Sequence, residues 1–320
     1  MKIVESCPVC GNSNIKCLYK KTFLYPGNGI QSNLLDINYE RLRILFDYML
    51  KGTKSACFAF IICKNCGFVF LNPRFEDREM ELKYDAIRQL GLVQARLSLL
   101  SVRSLKRRSE IIYNTITKYK NKKVAGFRIL DFGGGGGYNL RLFAKNNLCY
   151  IVDYEKPHLQ GDVKYLCQTA DEITQEIKFD IILCCHVLEH VADPVKILQK
   201  LASHLVPNGI LYIEIPFECF PSKFKNLQNP LTHINFFSPS SLLYLLSSCG
   251  FGVKKRCGVW KWLIQNQHFW LSVISEKNGQ GLPKYGAGYR DTVRCMSNPL
   301  LSLCARLGDF KGGIYSNPIY

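Results

Sequence analysis

Long hydrophobic runs are missing from this 320-residue chain. No apolar stretch reaches the ~18 residues that cross a bilayer. The opening MKIVESCPVC has no apolar core of about 7–15 residues, which a secretory signal requires. The chain is therefore expected in the cytoplasm, with most of its 15 cysteines as reduced thiols or metal ligands rather than disulfides. Internal repeats are missing as well. Acidic residues are scarce: 25 Asp and Glu stand against 42 Lys and Arg, a net charge of +17. Such an excess favours nucleic acid, anionic lipid or phosphorylated substrates as partners. The basic residues, however, fall in short clusters, Lys106-Arg107-Arg108, Lys118 to Lys123 and Lys254-Lys255-Arg256. These read first as solvated helix faces and loops. Hydrophobic residues at 47% with 21% charged exclude a disordered chain, and the length implies about two domains.

Four regions follow in order. Residues 1–75 are punctuated by cysteines and end in the strand-like FAFIICKNCGFVFLNP. Residues 76–127 form a helical connector, with Leu97, Leu100, Leu105, Ile111, Ile112, Ile116 and Tyr119 at mostly helical spacing. Across residues 128–277 short apolar strands alternate with amphipathic helices, the pattern of an α/β fold with a mostly parallel sheet. Residues 278–320 are a tail without periodicity.

The first region carries Cys7-Pro-Val-Cys10-Gly11 and Cys63-Lys-Asn-Cys66-Gly67. Each Cys-x-x-Cys-Gly turns two thiolates toward one ion, with glycine letting the backbone curl beneath the sulfurs. Two such turns close a tetrahedral zinc site with no position left for a substrate, so the ion is structural. Residues 11–62 separate the pairs, far more than the roughly 15–20 of a compact zinc ribbon. This insert carries its own helix-like segment, Tyr39 to Met49, and two further cysteines, Cys17 and Cys57, read as non-ligands.

The middle of the chain holds RILDFGGGGGYNLRLF, residues 128–143. A strand, a glycine loop and a following helix bring bare backbone close to a ligand. A phosphate-binding P-loop is excluded because no Gly-Lys-Ser/Thr ends the run. The dinucleotide fingerprint fails because its last glycine falls on Tyr138. Asp131, Gly133, Gly135 and Gly137 do fit Asp-x-Gly-x-Gly-x-Gly. The next strand, CYIVDY, ends in Asp153, where nucleoside-binding α/β folds place the acid that takes ribose hydroxyls. Asp171 follows a third strand, and a fourth, FDIILCC, runs into His186-Val187-Leu188-Glu189-His190. A helix from Asp193 to Leu205 leads to a fifth strand, ILYIEIP.

In these motifs residues 128–277 resemble the class I S-adenosylmethionine-dependent methyltransferases. LDFGGGGG, IVDY, FDIILCCHVLEHVADP, LVPNGILYIEIP and HINFFSPSSLLYLLSSCGF carry the likeness. CPVCG and CKNCGFVFLNPR resemble the zinc-binding segment of a bacterial subgroup associated with sugar and surface-polysaccharide methylation. The resemblance implies a Rossmann-like fold, a seven-stranded mostly parallel sheet with helices on both faces, preceded by the zinc module. It implies a Gly133–Gly137 loop beneath the methionine part of the cofactor, with Asp131 fixing the loop or meeting the amino group. It places Asp153 on the ribose, Tyr154 near the adenine, Asp171 on the adenine amino group and His186 beside the methionine moiety. Gly134 stands where members often carry Cys or Ser, and the glycines are expected to leave room for the cofactor.

Transfer to a hydroxyl asks for in-line alignment and a base. Of the six histidines, His158, His204 and His268 read as structural or surface groups. His233, in the loop NPLTHINFF, is the favoured base, with His186 and His190 as alternatives. Glu189 either orients an imidazole or steadies a helix start. Phe236, Phe237, Trp260, Trp262 and Trp270 read as core before sugar-stacking platform. Ser238-Pro239 is an N-cap with proline at the first helical position, opening a helix that closes at Gly250. The expected acceptor is a small molecule or glycan, nucleotide- or lipid-linked, with peripheral membrane contact accounting for the basic charge. The alternative is a nucleic-acid-directed methyltransferase or zinc-ribbon RNA binder; the missing Asn/Asp-Pro-Pro-Tyr motif of base amino-methylases weighs against it.

Overall fold

The computed structural model describes residues 1–27, 37–89, 102–154, 156, 158–159, 161–257, 270–277 and 288–299. Leu97, Leu100, Trp260, Trp262 and His268 lie outside these residues. Seven strands form the larger sheet: β4 (Arg128–Phe132), β5 (Leu148–Val152), β6 (Val163–Cys167), β7 (Phe179–Cys185), β8 (Leu205–Pro216), β10 (Phe251–Cys257) and β11 (Trp270–Lys277). Their order is β10-β11-β8-β7-β4-β5-β6. β4 to β8 run parallel, whereas β11 lies antiparallel to both β8 and β10. The order reverses direction at β4, so a crevice opens at the carboxyl ends of β4, β5 and β7.

Both faces of this sheet are covered, which is why its inner strands are mostly apolar. Ile129, Ile181 and Leu183 pack with Ile112 and Ile116 of α3 (Val102–Lys120) on one side. Leu130, Ile182 and Cys184 pack with Leu198 and Leu201 of α4 (Pro194–Ser203) on the other. α4 begins where Asp193 caps the Lys196 amide at 2.9 Å with Pro194 behind it. α6 (Pro239–Ser248) begins at the Ser238 cap and ends before Gly250, as the sequence pattern implies. The segment after the glycine loop does not form the expected helix. Tyr138–Leu140 and Ala144–Asn146 are separate 3₁₀ turns. The glycines consume the start of the link, and β5 must begin at Leu148 beside Arg128. Too little chain remains for an α-helical crossover.

The N-terminal residues build a second, antiparallel sheet of β1 (Ile15–Leu24), β2 (Ser55–Cys63), β3 (Val69–Asn72) and β9 (Asn235–Phe236). The insert thus supplies a long strand, and then α1 (Ile37–Ile44), which runs into a π-helical turn at Leu45–Met49. β9 comes from the far side of the chain and joins at Val69↔Phe236 and Phe70↔Asn235. Phe236 and Phe237 are buried here against Phe60, Phe224 and Phe68, so they are core. α2 (Asp77–Gln89) connects the two sheets; α5 (Pro221–Asn226) and α7 (Gly288–Ser297) complete the described elements. No helix among the described residues is long and apolar enough to cross a membrane. The basic cluster Lys106-Arg107-Arg108 is not uniformly solvated: Arg108 turns inward and pairs with the buried Glu214 at 2.7 Å.

Candidate functional site

The glycine loop is shaped by its own chain. Gly133, Gly135 and Gly137 have φ of 71°, 50° and 82°, the left-handed region that costs other residues energy. A Cβ on Gly134 would stand 2.7 Å from the Asp131 carboxyl, and one on Gly136 would stand 2.9 Å from the Tyr138 ring. Clearance for a cofactor is therefore not what demands glycine at Gly134; its neighbour Asp131 does. Asp131 is fully buried, accepts from Asn139 Nδ2 at 3.1 Å, and leaves Oδ1 without a partner. Burial pushes its pKa up to about 7. The Gly135 amide donates to Asp153 Oδ2 at 2.9 Å and the Gly133 amide to the Val152 carbonyl at 2.8 Å, tying the loop to the end of β5.

A cleft opens at this edge. Phe132 and Gly133, then Asp153 and Tyr154, then Gln168 to Asp171 supply its floor, Val187 and His190 one side, and Met80 and Tyr84 of α2 the other. Tyr154 stacks on Tyr84 with centroids 4.6 Å apart and planes 20° apart. Asp171 lines the rim, exposed, and pairs with Lys196 at 3.3 Å and Lys200 at 3.7 Å.

Beside the cleft the turn after β7 meets the loop after β8. His186 adopts a left-handed φ of 55°. Its ring lies between Glu189 (Nδ1 at 3.3 Å) and Glu214 (Nε2 at 3.2 Å). Burial and the Arg108 charge favour the neutral ring, but the two carboxylates prevail and raise its pKa. His190 packs 4.8 Å from His233, ring to ring, with its Nδ1 on the Thr232 carbonyl. Burial, then His233 and Lys83, push its pKa well down. His233 Nδ1 pairs with Glu218 Oε2 at 2.5 Å. Burial would raise the Glu218 pKa, but His233 outweighs it and holds it near about 2. Across the molecule, the Sγ atoms of Cys7 and Cys66 are 3.6 Å apart and those of Cys10 and Cys63 3.5 Å apart, all four within 4.8 Å of one another. Cys17 and Cys57 are exposed and lie outside this quartet.

The sequence model of a family described as "Methyltransferase domain" matches residues 84–255, more than half of the chain and nearly all of this site. The chain belongs to that family. The chain is 31% identical over 109 residues to the ubiquinone biosynthesis O-methyltransferase of Coxiella burnetii, covering 30% of its own length and 47% of that protein. It is 33% identical over 103 residues to the one of Rhodopseudomonas palustris, covering 28% and 40%. It thus spans about half the length, or less, of the curated relatives it matches. Among solved structures, the 1,6-didemethyltoxoflavin-N1-methyltransferase of Burkholderia thailandensis aligns over 66% of this chain and 95% of that one, at 16% identity and a TM-score of 0.49.

The fold brings Gly133, Asp153, Tyr154, Asp171 and His190 to one cleft, while Asp131, Gly135 and Gly137 lie behind it in the loop. His186, expected along the cleft, is buried instead between two carboxylates. Sequence reasoning missed Met80 and Tyr84, which it assigned to a connector helix, and Arg108, Glu214 and Glu218. The acid in PFECF, just past a strand end, was the signal that could have found Glu218.

Glu214 carries a stability prediction. It is 1% exposed and holds Arg108, His186 and the Tyr212 hydroxyl (2.9 Å). Burial raises its pKa, but Arg108 and then His186 and Tyr212 bring it down to about 2. A depressed carboxylate contributes stability above its unfolded pKa of about 4.3, lost as pH falls toward about 2. Glu214→Ala strands the Arg108 charge and is expected to cost about 3–5 kcal/mol at neutral pH. It should also flatten the acid limb of the stability curve. Urea unfolding across pH checks both, and an unmoved midpoint at pH 7 contradicts the assignment.

Proposed function

We propose that this chain transfers a methyl group from S-adenosylmethionine to a hydroxyl oxygen of a sugar or surface-glycan precursor, with His233 as the base. The observation that carries the base is the Glu218–His233 pair: Nδ1 is committed to the carboxylate, so the partnerless Nε2 presents a lone pair. His186 is a poor candidate because both its nitrogens face carboxylates. The names of the relatives above, O-methyltransferases, support an oxygen acceptor. The cysteine segments, similar to those of sugar methyltransferases, support the glycan class. Bound S-adenosylmethionine supplies a methyl group already activated by its sulfonium. Asp153 would take the ribose hydroxyls, Tyr154, backed by Tyr84, would pack near the adenine, and Asp171 would accept at its rim. The Gly133–Gly137 backbone would run beneath the methionine moiety, and the partnerless Asp131 oxygen fits a cationic amino group. His233 Nε2 takes the proton as the hydroxyl oxygen gains the methyl. A structural zinc ion in the cysteine quartet completes the reading, since ligands about 2.3 Å from a tetrahedral ion lie about 3.8 Å apart.

Calorimetric titration with S-adenosylmethionine tests the cofactor site. Asp153→Ala should weaken binding by about 10- to 100-fold, the loss of charge-assisted hydrogen bonds. A folded wild-type protein that binds no cofactor sinks the reading.

A further inference from the structure

Helix α2 turns Met80, Lys83, Ala86 and Ile87 inward. Lys83 therefore occupies a position whose helical spacing calls for an apolar side chain. It is fully buried, and its Nζ has no hydrogen-bond partner; the Tyr84 ring, with its centroid 4.6 Å away, is what it lies over. Arg41, reaching in from α1, is 1% exposed. It donates Nη1 to Thr232 Oγ1 at 2.8 Å and leaves Nε unsatisfied. Glu189 Oε2 and His233 Nε2 accept from no donor, although both residues are buried. Geometry gathers these side chains: Glu189, His190 and His233 hold ligand atoms within 4.8 Å of one another, Arg41 bonds Thr232, the residue before His233, and Lys83 lies within the electrostatic reach of Arg41 and Glu189. Two unmet donors and two unmet acceptors, brought together from α1, α2 and two loops, are more than a packed interior tolerates without a purpose.

We propose that Lys83 Nζ, Arg41 Nε, Glu189 Oε2 and His233 Nε2 form the recognition chamber for a polyhydroxylated acceptor. Lys83 and Arg41 donate to its oxygens, and the carboxylate and imidazole accept from its hydroxyls. The proposal rests on the methyltransferase reading; it makes Lys83 and Arg41 acceptor-binding residues. Chemistry selects the class. A compact anion would satisfy the two donors but meet the Glu189 charge and leave His233 unsatisfied. A divalent cation would suit Glu189, His190 and His233, whose ligand atoms lie within 4.8 Å of one another, but would sit among Arg41 and Lys83. Hydroxyls alone both donate and accept without charge, and so complete all four atoms. Burial and the Arg41 charge also push the Lys83 pKa well down, which suits a neutral ligand. Tyr84, the next residue of α2, lines the cofactor cleft, so chamber and cleft share a wall.

The test is saturation-transfer NMR on the full chain loaded with S-adenosylhomocysteine, with D-galactose, L-rhamnose, D-glucuronate, catechol and cyclohexanol as probes. Galactose or rhamnose should saturate on the wild type and cyclohexanol should not. Lys83→Met should weaken the sugar signal by about tenfold, the loss of one hydrogen bond to a charged or buried group. The same variant should keep S-adenosylhomocysteine affinity within about twofold and leave Tm unchanged or raised, because an unpartnered buried amine is replaced by an apolar chain. Glu189→Gln gives a second reading if Lys83→Met fails to fold. Four results overturn the chamber: no sugar signal on the wild type, equal signals on wild type and variants, binding of glucuronate or catechol alone, or a metal equivalent that His233→Ala removes. A wild type that fails to bind S-adenosylhomocysteine instead overturns the methyltransferase reading, and the same titration reports it separately.

Discussion

Replacing Cys63 by serine, or stripping the protein with a strong chelator, is expected to unfold the N-terminal sheet and abolish methyl transfer in the same step. Cys7, Cys63 and Cys66 are at most 2% exposed, and Cys63 ends β2, so the quartet is built into the sheet rather than hung from it. Four thiolates within 4.8 Å of one another, three of them buried, repel one another without a cation. A structural zinc ion contributes about 10–16 kcal/mol in small metal-dependent folds, comparable to the entire stability of a domain, about 5–15 kcal/mol. The damage should reach the cleft. β3 pairs with β9, and the Leu71 amide donates to Ile234 at 3.0 Å. The Ile234 amide in turn donates to the Glu189 carbonyl at 2.9 Å, and Asn235 Nδ2 holds the Leu188 and Val191 carbonyls, each at 2.8 Å. His233 sits in this strap, one residue before Ile234. Elemental analysis should find about one zinc per chain. Circular dichroism and cofactor titration on Cys63→Ser should show loss of strand signal and weakened binding together. A metal-free variant with an unchanged Tm would remove zinc from the account.

Much of this architecture is legible in the sequence because local signals and tertiary demands agree. The apolar runs of β7 and β8 are too short for membrane spans and too uniform for half-exposed strands, which leaves a covered parallel sheet. Asp193-Pro194 and Ser238-Pro239 mark helix starts by chemistry alone. The paired Cys-x-x-Cys turns announce one site across a long insert. What escapes the sequence is whatever depends on which side of an element faces in. Arg108 lies in a basic cluster that looks solvated, yet the Glu214 carboxylate draws it inside. Lys83 looks like an ordinary charged helix residue and is wholly buried. The five glycines looked like clearance for a ligand, but alternate ones answer to left-handed φ and those between them to Asp131 and Tyr138. β9, two residues long, has no periodicity to announce it, although it completes the antiparallel sheet beside β3.

The base assignment makes the sharpest kinetic claim. His233→Ala removes a ring whose Nδ1 is held by the Glu218 carboxylate and whose Nε2 has no hydrogen-bond partner. A positioned base contributes typically about 10²–10⁴-fold, so kcat should fall by about that factor while cofactor affinity holds. Glu218→Gln separates orientation from basicity. The amide can still accept from Nδ1–H, but it no longer stabilises the imidazolium that forms as the proton arrives. Its loss should therefore appear in kcat with KM little changed, and should be smaller than that of His233→Ala. If both variants lower kcat alike, the Glu218 charge is as necessary to proton removal as the ring itself. If His233→Ala leaves kcat intact, the proton leaves by another route, and the pair is a structural clamp between the end of β8 and the loop that carries β9.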